Sequence, residues 1–423
     1  MATLSRRQFL GTTAAAGAAT LLAACGGGSK SKSGSGSLKA LYMQQAGYPA
    51  KDIDAMTTAF MAANPNIKVS NTFVAYEALH DKIVISAPAG TYDVVHMDCI
   101  WPAELASKKM IVDVSDRITP TITDGLLPGT WQSVDYDGKH YGLPWAPSTK
   151  LFYYNTQLLQ QAGVDPASLD TWDGAVAAAK TIKQKGVLDY PFIWSWSQAE
   201  AIMCDFAQLL ASFGGQFLDS SGEPAFNTGG GLAALEWMKM TLDEGLSDPA
   251  STQSLEDDVK KVQLQNRAAM TLNWEYVFPA AQDSTQTPTP GAVTVTTTPK
   301  GPGGQAIGVN GGMGLAITAG CKRPDDAWTL IQWMAGEEMG LKYASDNVSV
   351  WKSFYTNPDV LKGQEALIQS EEKQQENLIN RPNVPNYNAA SQIIQAALQK
   401  ALLGSSSPQA ALDSAASQVR NLS

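Results

Sequence analysis

Apolar and polar residues follow two alternating periods along most of the chain, which predicts strands and helices in turn. Residues 38–45, "LKALYMQQ", are predicted to form a strand, and "DIDAMTTAFMAANPN" (52–66) has the spacing of an amphipathic helix. The same succession returns in "IKVSNTFV" with "YEALHDKIVISAPAG", and in "YDVVHM" with "WPAELASKKM". Strands that alternate with helices predict βαβ units, and therefore an α/β fold with a mostly parallel sheet.

The rest of the chain continues this alternation with one interruption. In "VDYDGKHYGLPW" (134–145), Asp137 and Gly138 stand between alternating residues, which predicts a β-hairpin. "TWDGAVAAAKTIKQKG" predicts a helix with Thr171 as its N-cap and Gly186 as its stop. Further strands are predicted for "KLFYYN", "RAAMTLNW" and "GGMGLAIT", and two helices separated by "GSSSP" are predicted for the C-terminal end.

The first residues carry export signals. Arg6 and Arg7, followed by an apolar Ala/Leu run and small residues, predict a twin-arginine signal peptide over residues 1–24. "LAAC" resembles a bacterial lipobox, in which Cys25 becomes the lipidated first residue after cleavage. Residues 25–37 are therefore predicted to hold the lipidated cysteine and a flexible Gly/Ser-rich tether. An ordinary cleaved signal with an incidental cysteine is the alternative.

Length and charge narrow the class of protein. A chain of 423 residues exceeds what one hydrophobic core usually serves, so two domains are expected. The formal net charge is −10, and loss of Arg6 and Arg7 with the signal leaves −12. Because nucleic-acid binding needs a basic surface, no nucleic-acid partner is expected. Electrostatic docking on anionic lipid is disfavoured for the same reason, so the lipid on Cys25 would provide the membrane contact.

Motifs for metal or nucleophilic chemistry are absent from the sequence. Cys99, Cys204 and Cys321 show no C-x-x-C spacing; three buried thiols are expected, with one disulfide and a leftover thiol as the alternative. There is no H-E-x-x-H, no phosphate-binding loop and no G-x-S-x-G elbow, so we expect no metal, no cofactor and no catalytic residue. Paired carboxylates for glycoside hydrolysis need only meet in space, so an exported carbohydrate-active enzyme stays open.

Tryptophans near the ends of predicted strands are the main candidates for ligand binding. In open α/β sheets, ligands bind beyond the carboxyl ends of the strands. Flat apolar rings at that place suit a sugar ring, and charged side chains supply strong hydrogen bonds to its hydroxyls. The candidate rings are Trp101, Trp145, Trp194, Trp196 and Trp274, and the candidate charged groups are Asp98, Glu275 and Arg381.

The chain resembles the family 1 extracellular solute-binding proteins, the substrate-capture lipoproteins of ABC sugar importers. Five stretches carry the resemblance in the order that the family has them, over nearly the whole chain after the signal. They are "YDVVHMDCIWPAELASKKMIVDVSD", "DGKHYGLPWAPSTKLFYYN", "NRAAMTLNW", "GGMGLAITAGCKRPDDAWTLIQWM" and "RPNVPNYNAASQIIQAALQKALLGSSSPQAALDSAASQV".

The resemblance implies a two-lobe periplasmic-binding-protein-like fold of type II, with a ligand cleft between lobes joined by hinge crossovers. Lobe 1 would comprise residues 38–144 and 303–347, and lobe 2 residues 145–302 and 348–423. The crossings would fall near residues 143–149, 300–308 and 347–352.

The resemblance also transfers ligand contacts onto matching positions: Gln45, the hydroxyl-binding acid Asp98, the stacking or clamping residues Trp145, Trp274 and Arg381, and the turn at Gly311 and Gly312. Relatives that bind trehalose or maltose often have Asp at the position of Ser148 and Trp at that of Met313, so this chain is less suited to such a disaccharide. "WSWSQAE" (194–200) offers alternative contacts. The predicted ligand-binding set is Gln45, Asp98, Trp101, Trp145, Ser148, Trp196, Trp274, Glu275, Gly312 and Arg381.

By resemblance, the protein is expected to capture a sugar or oligosaccharide without altering it and to deliver it to the permease of an ABC importer. It would act as a monomer, held at the outer face of the cytoplasmic membrane by the lipid on Cys25. A binding protein for a non-sugar solute, such as a polyamine, an anion or a peptide, is the alternative beside the enzyme. A signalling role is compatible with binding.

Overall fold

The computed structural model describes residues 37–44, 48–345 and 347–422, so the signal peptide, Cys25 and Gln45 lie outside it. The strands of the described residues are β1 (Leu38–Met43), β2 (Val69–Val74), β3 (Val94–Asp98), β4 (Asp135–Tyr136), β5 (Lys139–His140), β6 (Leu143–Ala146), β7 (Leu151–Asn155), β8 (Met270–Asn273), β9 (Val293–Thr296), β10 (Gly308–Val309), β11 (Met313–Ile317) and β12 (Leu378–Ile379).

Helices connect and cover these strands. They are α1 (Ala50–Ala63), α2 (Tyr76–Ser86), α3 (Pro102–Ser107), α4 (Pro120–Gly125), α5 (Thr156–Ala162), α6 (Trp172–Gln184), α7 (Glu200–Ser212), α8 (Gly230–Asp243), α9 (Glu256–Leu264), α10 (Val277–Gln282), α11 (Pro324–Met334), α12 (Glu337–Lys342), α13 (Lys352–Thr356), α14 (Pro358–Leu361), α15 (Glu365–Gln375), α16 (Tyr387–Leu402) and α17 (Pro408–Arg420). None of the helices in the described ranges is both long enough and apolar enough to cross a bilayer.

Two separate sheets organise the chain. The larger has the order β2-β1-β3-β11-β6, and the smaller has the order β8-β7-β9. In the larger sheet β1 runs parallel to β2 and β3, as the βαβ pattern predicts, whereas β11 is antiparallel to β3 and β6. The smaller sheet is antiparallel throughout. The prediction of a mostly parallel sheet is therefore wrong outside β1 to β3, because periodicity identifies strands but not their direction.

Each sheet is covered by apolar side chains on both faces. Tyr42 and Leu41 are neighbours on β1 but belong to different apolar clusters, because side chains alternate along a strand. Phe152 and Tyr153 on β7 divide between two further clusters in the same way. We call the elements packed on the larger sheet the first lobe and those packed on the smaller sheet the second lobe.

The chain crosses from one lobe to the other where consecutive strands belong to different sheets. β6 ends at Ala146 in the larger sheet and β7 begins at Leu151 in the smaller one, so residues 147–150 form a crossing. The return runs between β9 and β11, and β10 pairs with β12 along it. Thr149 of the outward segment bridges Asn310 of the returning segment, which ties the two crossings together.

Local signals in the sequence are confirmed in the structure. β4 and β5 form the predicted hairpin, with Asp137 at φ 50° and Gly138 at φ 71°, the positive angles that a tight two-residue turn requires. The Thr171 hydroxyl accepts a hydrogen bond from the backbone N–H of Gly174 and caps α6. Cys99, Cys204 and Cys321 are free thiols; the first two are buried and the third is partly buried.

The cap of α6 gives a prediction for stability. Thr171→Ala is expected to lower the free energy of unfolding by about 1 kcal/mol, because the N–H of Gly174 loses its acceptor. Thr171→Ser keeps the hydroxyl and is expected to stay close to the parent protein. Urea denaturation followed by circular dichroism measures both variants. An alanine variant as stable as the parent would contradict the capping role.

Candidate functional site

A cavity of about 570 Å³ lies between the two lobes. Its first-lobe wall comes from the ends of β1, β3 and β6, the start of β11, and α2 with the turn before α3. Its second-lobe wall comes from α7, the start of α9, the segment after β8, and α16. The residues that line it include Met43, Tyr76, His80, Asp98, Trp101, Ser148, Glu200, Cys204, Glu256, Trp274, Gly311, Met313, Arg381, Asn388, Ser391 and Gln395.

The sheet geometry explains why first-lobe residues meet there. β1 and β3 are parallel, so their carboxyl ends, Met43 and Asp98, lie at the same edge of the sheet. β11 runs the opposite way, so its first residue, Met313, pairs with Asp98 at that edge. The edge of the larger sheet therefore forms one wall of the cavity, as the rule for open α/β sheets predicts.

Arg381 joins the two lobes inside the cavity. Its Nη1 donates to Oε1 of Glu200 on α7 at 2.7 Å, and its Nη2 donates to Oδ1 of Asp98 on β3 at 3.3 Å. The side chains of Arg381 and Asp98 are 1% and 6% exposed. Water screens these charges little, so each carboxylate depends on the guanidinium for compensation.

Neutral donors hold both carboxylates in place. The Tyr76 hydroxyl donates to Oδ2 of Asp98 at 2.9 Å. The Tyr387 hydroxyl donates to Oε1 of Glu200 at 2.5 Å, and Ser391 Oγ donates to Oε2 at 2.6 Å. Hydrogen bonds to a charged acceptor are the strong kind, so this group is fixed in position before any ligand arrives.

Aromatic rings line both walls. In the first lobe, Tyr76 and Trp101 are stacked, with their ring centroids 5.8 Å apart and their planes 19° from parallel. From the second lobe, Trp274 donates from Nε1 to Oε1 of Glu256 at 3.3 Å. Lys150 Nζ lies 5.2 Å from the centroid of the Trp274 ring, so a cation supports the ring from within the lobe.

Lys150 is fully buried and paired with acids. Its Nζ lies 2.8 Å from Asp205 and 3.2 Å from Glu256. Burial alone would lower the pKa of Lys150, but the charges of Asp205 and Glu256 outweigh it and raise that pKa. Burial raises the pKa of Asp205, and the positive charge of Lys150 opposes that rise.

Gly311 allows the crossing segment to approach Trp274. A Cβ at this position would lie 2.4 Å from Cζ3 and Cη2 of the Trp274 ring, closer than atoms in contact can be. The backbone N–H of Gly311 donates to the Ser148 carbonyl at 2.9 Å. The missing side chain therefore lets a residue of one crossing pack directly on a ring of the second lobe.

Acidic groups dominate the charge of the cavity. Among the described residues that line it, Arg381 is the one arginine or lysine. The lining carboxylates are Glu77, Asp81, Asp98, Glu200, Glu256, Asp257 and Asp258. The cavity therefore suits neutral or cationic ligands with many hydrogen-bonding groups better than anions.

Residues 43–340 match the family model for a bacterial extracellular solute-binding protein. The chain belongs to this family. Residues 3–23 match the model of the twin-arginine translocation pathway signal sequence, which confirms the predicted signal type. Together the two matches identify an exported solute-binding protein.

Relatives of this solute-binding protein fit the same class. It is similar to a "Probable ABC transporter-binding protein" of Deinococcus radiodurans, 28% identical over 287 residues that cover 66% of this chain and 67% of the relative. An arabinooligosaccharide-binding protein of Halalkalibacterium halodurans is 22% identical over 175 residues, 41% of this chain and 38% of that one. Maltose-bound MalE3 of T. maritima has a TM-score of 0.84 at 27% identity, covering 92% of this chain and 100% of its own. The predicted two-lobe, type II fold is confirmed.

Half of the predicted ligand-binding residues line the cavity of this family member. Asp98 and Arg381 form the ion pair, Trp101 and Trp274 supply rings, and Ser148 lies in the crossing between the lobes. Sequence reasoning thus places the charged pair and one ring of each lobe at the cleft. Gln45 lies outside the described residues, and its role stays a prediction.

Trp145 and Trp196 of the predicted ligand-binding set lie in the cores instead, as does Trp194, a candidate ring outside that set. Trp145 on β6 is 3% exposed, and its Nε1 donates to the Met334 carbonyl at 3.0 Å. Trp196 is fully buried and stacks on Trp194, with centroids 5.4 Å apart and planes 9° from parallel. A position near a strand end locates the backbone but does not decide which way the side chain points, so these two rings pack within their lobes.

Glu275 and Gly312 lie behind the cavity wall. Glu275 is 1% exposed and accepts a hydrogen bond from Ser148 Oγ at 2.5 Å. Its burial raises the pKa of Glu275, and the hydrogen bond from Ser148 opposes that rise. The N–H of Gly312 donates to Asn310 Oδ1 at 2.8 Å, while its carbonyl accepts from the N–H of Cys99 at 3.0 Å. Both residues therefore lie behind the residues that line the cavity and pack against them.

Sequence reasoning missed several residues of the lining, Tyr76 and Glu256 among them. Tyr76 follows two residues after the end of β2, so the rule about strand ends, applied to every strand, finds it. Glu200 and Glu256 begin α7 and α9. Acids are common in the first turn of helices because they complement the helix dipole, so no sequence signal distinguishes Glu256. Glu200 ends the stretch "WSWSQAE", which is predicted to offer alternative contacts, and it lines the cavity.

The buried charge cluster predicts a large loss of stability when its cation is removed. Arg381→Met is expected to lower the free energy of unfolding by about 3–5 kcal/mol, because Asp98 and Glu200 would remain buried without compensation. Arg420→Met is the matched control, since Arg420 pairs with Glu223 at side-chain exposures of 46% and 59%. Such an exposed pair contributes about 0–1 kcal/mol. Urea denaturation that finds equal losses for both variants would contradict this account.

Proposed function

We propose that the protein captures a sugar or oligosaccharide in this cavity and delivers it unaltered to the permease of an ABC importer. The observation that carries the proposal is the meeting of aromatic rings and a charged hydrogen-bonding cluster from both lobes in one cavity. The ligands named for relatives, maltose and arabinooligosaccharide, support the carbohydrate class.

The lining residues divide between two tasks. Trp274 and the stacked Tyr76 and Trp101 offer apolar surface to the faces of a sugar ring. Asp98 and Arg381 exchange hydrogen bonds with its hydroxyls, and a site built for a hydroxyl rejects analogues that lack it. We propose that Trp145, Trp196, Glu275 and Gly312 support the wall rather than contact the ligand.

Closure of the two lobes would couple ligand binding to transport. A ligand that touches both lobes favours the arrangement in which they close on it, by as much as its affinity differs between the open and closed forms. The permease then recognises the closed form. A dissociation constant of micromolar order, about −8 kcal/mol, is expected for such a capture protein. The moving bodies would be residues 38–144 with 303–347, and residues 145–302 with 348–423, except that Trp145 and Ala146 stay with the first lobe because β6 pairs in the larger sheet.

A cationic solute is the second candidate. The carboxylates of the lining favour it, since they outnumber the one arginine. The aromatic rings favour sugar over a polyamine, because a flexible aliphatic chain presents no flat face. A binding panel that contains both classes separates the two candidates.

The sugar hypothesis predicts a specific binding profile. Titration calorimetry against neutral mono- and oligosaccharides and polyamines is expected to find at least one saccharide with micromolar affinity and a stoichiometry of one. Trp274→Ala is expected to weaken that affinity roughly 10- to 100-fold through lost stacking, equivalent to about 1–3 kcal/mol. Trp274→Phe, which keeps a ring, is expected to lose less.

Recovery of the sugar distinguishes capture from catalysis. After overnight incubation with the protein, chromatography is expected to return the saccharide with its mass and retention unchanged. Detection of a hydrolysed or transferred product would show that the protein is an enzyme and would contradict the proposed capture function. Heat released only by polyamines would favour the cationic alternative.

We also propose that Cys25 carries lipid and holds the protein at the outer face of the cytoplasmic membrane. The proposal rests on the lipobox-like "LAAC", the Gly/Ser-rich residues after it and the twin-arginine signal. A lipid-anchored monomer would meet a permease in the same membrane.

The anchor predicts the fate of a cysteine variant. Cells that express Cys25→Ser are expected to release the protein into the soluble exported fraction, while the parent stays with membranes and incorporates labelled palmitate. Fractionation and labelling measure the two properties. Cys321→Ser is the control, because it removes a thiol of the folded body instead. Equal membrane association of the Cys25→Ser variant and the parent would contradict lipidation.

A further inference from the structure

A second polar cluster joins the two lobes at the side of the cavity, on α2, α3 and α16. His80 Nε2 lies 2.8 Å from Oε2 of Glu104. Asn388 Nδ2 donates to the same oxygen at 2.7 Å and lies 2.6 Å from His80 Nε2. Lys108 Nζ lies 2.6 Å from the other carboxylate oxygen of Glu104, Oε1. Glu104 is thus the common acceptor for groups from three helices.

These helices belong to different lobes. Leu79 of α2 and Leu105 of α3 pack in the apolar cluster on the larger sheet. Ile394 and Leu398 of α16 pack in the cluster with Phe152 of the smaller sheet, while Tyr387 at the start of α16 reaches the first-lobe cluster. The hydrogen bond from Asn388 to Glu104 therefore crosses from one lobe to the other.

We propose that Glu104 and Asn388 form a latch that holds the two lobes together and sets how readily they separate. Glu104 is a positioning residue in this proposal, since it acts on the lobes without lining the cavity. The inference goes beyond capture of a sugar and holds for any ligand of the cleft, because the latch consists of protein groups alone.

The charges around Glu104 determine when the latch is strong. Burial would raise the pKa of Glu104, but the hydrogen bonds from His80 and Lys108 outweigh it and lower the pKa to about 2. Glu104 is therefore charged at every physiological pH. A charged acceptor makes the hydrogen bond from Asn388 a strong one.

His80 holds Glu104 in position from within the first lobe. Burial would lower the pKa of His80, but the hydrogen bonds and charges of Glu104 and Asp81 outweigh it, and the pKa is raised. The charged groups that face His80 are Asp81 on its own helix and Glu104 on α3, with Lys108 just past the end of α3; Glu77 lies one turn earlier on α2. His80 and Glu104 both lie on the first lobe, so their pair fixes the acceptor of the latch in position without itself crossing between the lobes.

Small-angle scattering of the ligand-free full chain tests the latch. At pH 5.5 the parent is expected to have a smaller radius of gyration than Glu104→Gln and Asn388→Ala, which weaken the cross-lobe contact from opposite sides. Glu338→Gln, which removes an exposed acid from α12, is the control and is expected to follow the parent.

The outcomes decide the proposal without reference to the ligand. Equal radii for the parent and both variants at pH 5.5 would overturn the latch, provided that circular dichroism shows folded proteins. If one variant fails to fold, the other decides. Where a sugar binds, Glu104→Gln is also expected to change its affinity about tenfold, the scale of coupling between a conformational equilibrium and a binding site. Because scattering uses no ligand, failure of the latch and failure of the sugar assignment are distinguishable.

Discussion

The pairing of Arg381 with Asp98 and Glu200 is the constraint on which the cleft depends. A guanidinium that is 1% exposed needs compensating charge, and the two carboxylates that provide it come from different lobes. The same contacts place three polar groups at the meeting point of the lobes and hold them there through Tyr76, Tyr387 and Ser391. The compensation of the buried Arg381 charge therefore explains both where the binding groups lie and how the two lobes are attached to each other.

The rings take their positions from similarly local causes. Trp274 lies between a buried cation, Lys150, and the bare backbone of Gly311, while Trp101 stacks on Tyr76 in the first lobe. Rings fixed in this way lose little conformational freedom on binding, which favours a ligand with flat apolar faces. A negative cavity that also contains such rings is better matched to a hydroxyl-rich neutral molecule than to an anion.

Sequence reasoning was most accurate where one residue's backbone or chemistry decides the outcome. Asp137 and Gly138 form the predicted turn because their angles suit few other residues, and Thr171 caps α6 because its hydroxyl reaches the next turn. It failed where long-range pairing decides. The direction of β11 depends on where the chain returns, and the inward rotation of Trp145 and Trp196 depends on the packing of each lobe. The family resemblance predicts ligand contacts at Asp98, Trp274 and Arg381, and all three line the cavity because their place along the chain fixes their place at the cleft.

The account's central claim is that one carbohydrate molecule lies between the lobes and touches groups of both. A crystal structure of the protein grown with a saccharide that it binds tests this most directly. The account predicts a sugar ring against Trp274, with hydroxyls within hydrogen-bonding distance of Asp98 and Arg381. Density for the sugar at a surface site, with the space between the lobes filled only by water, would contradict it.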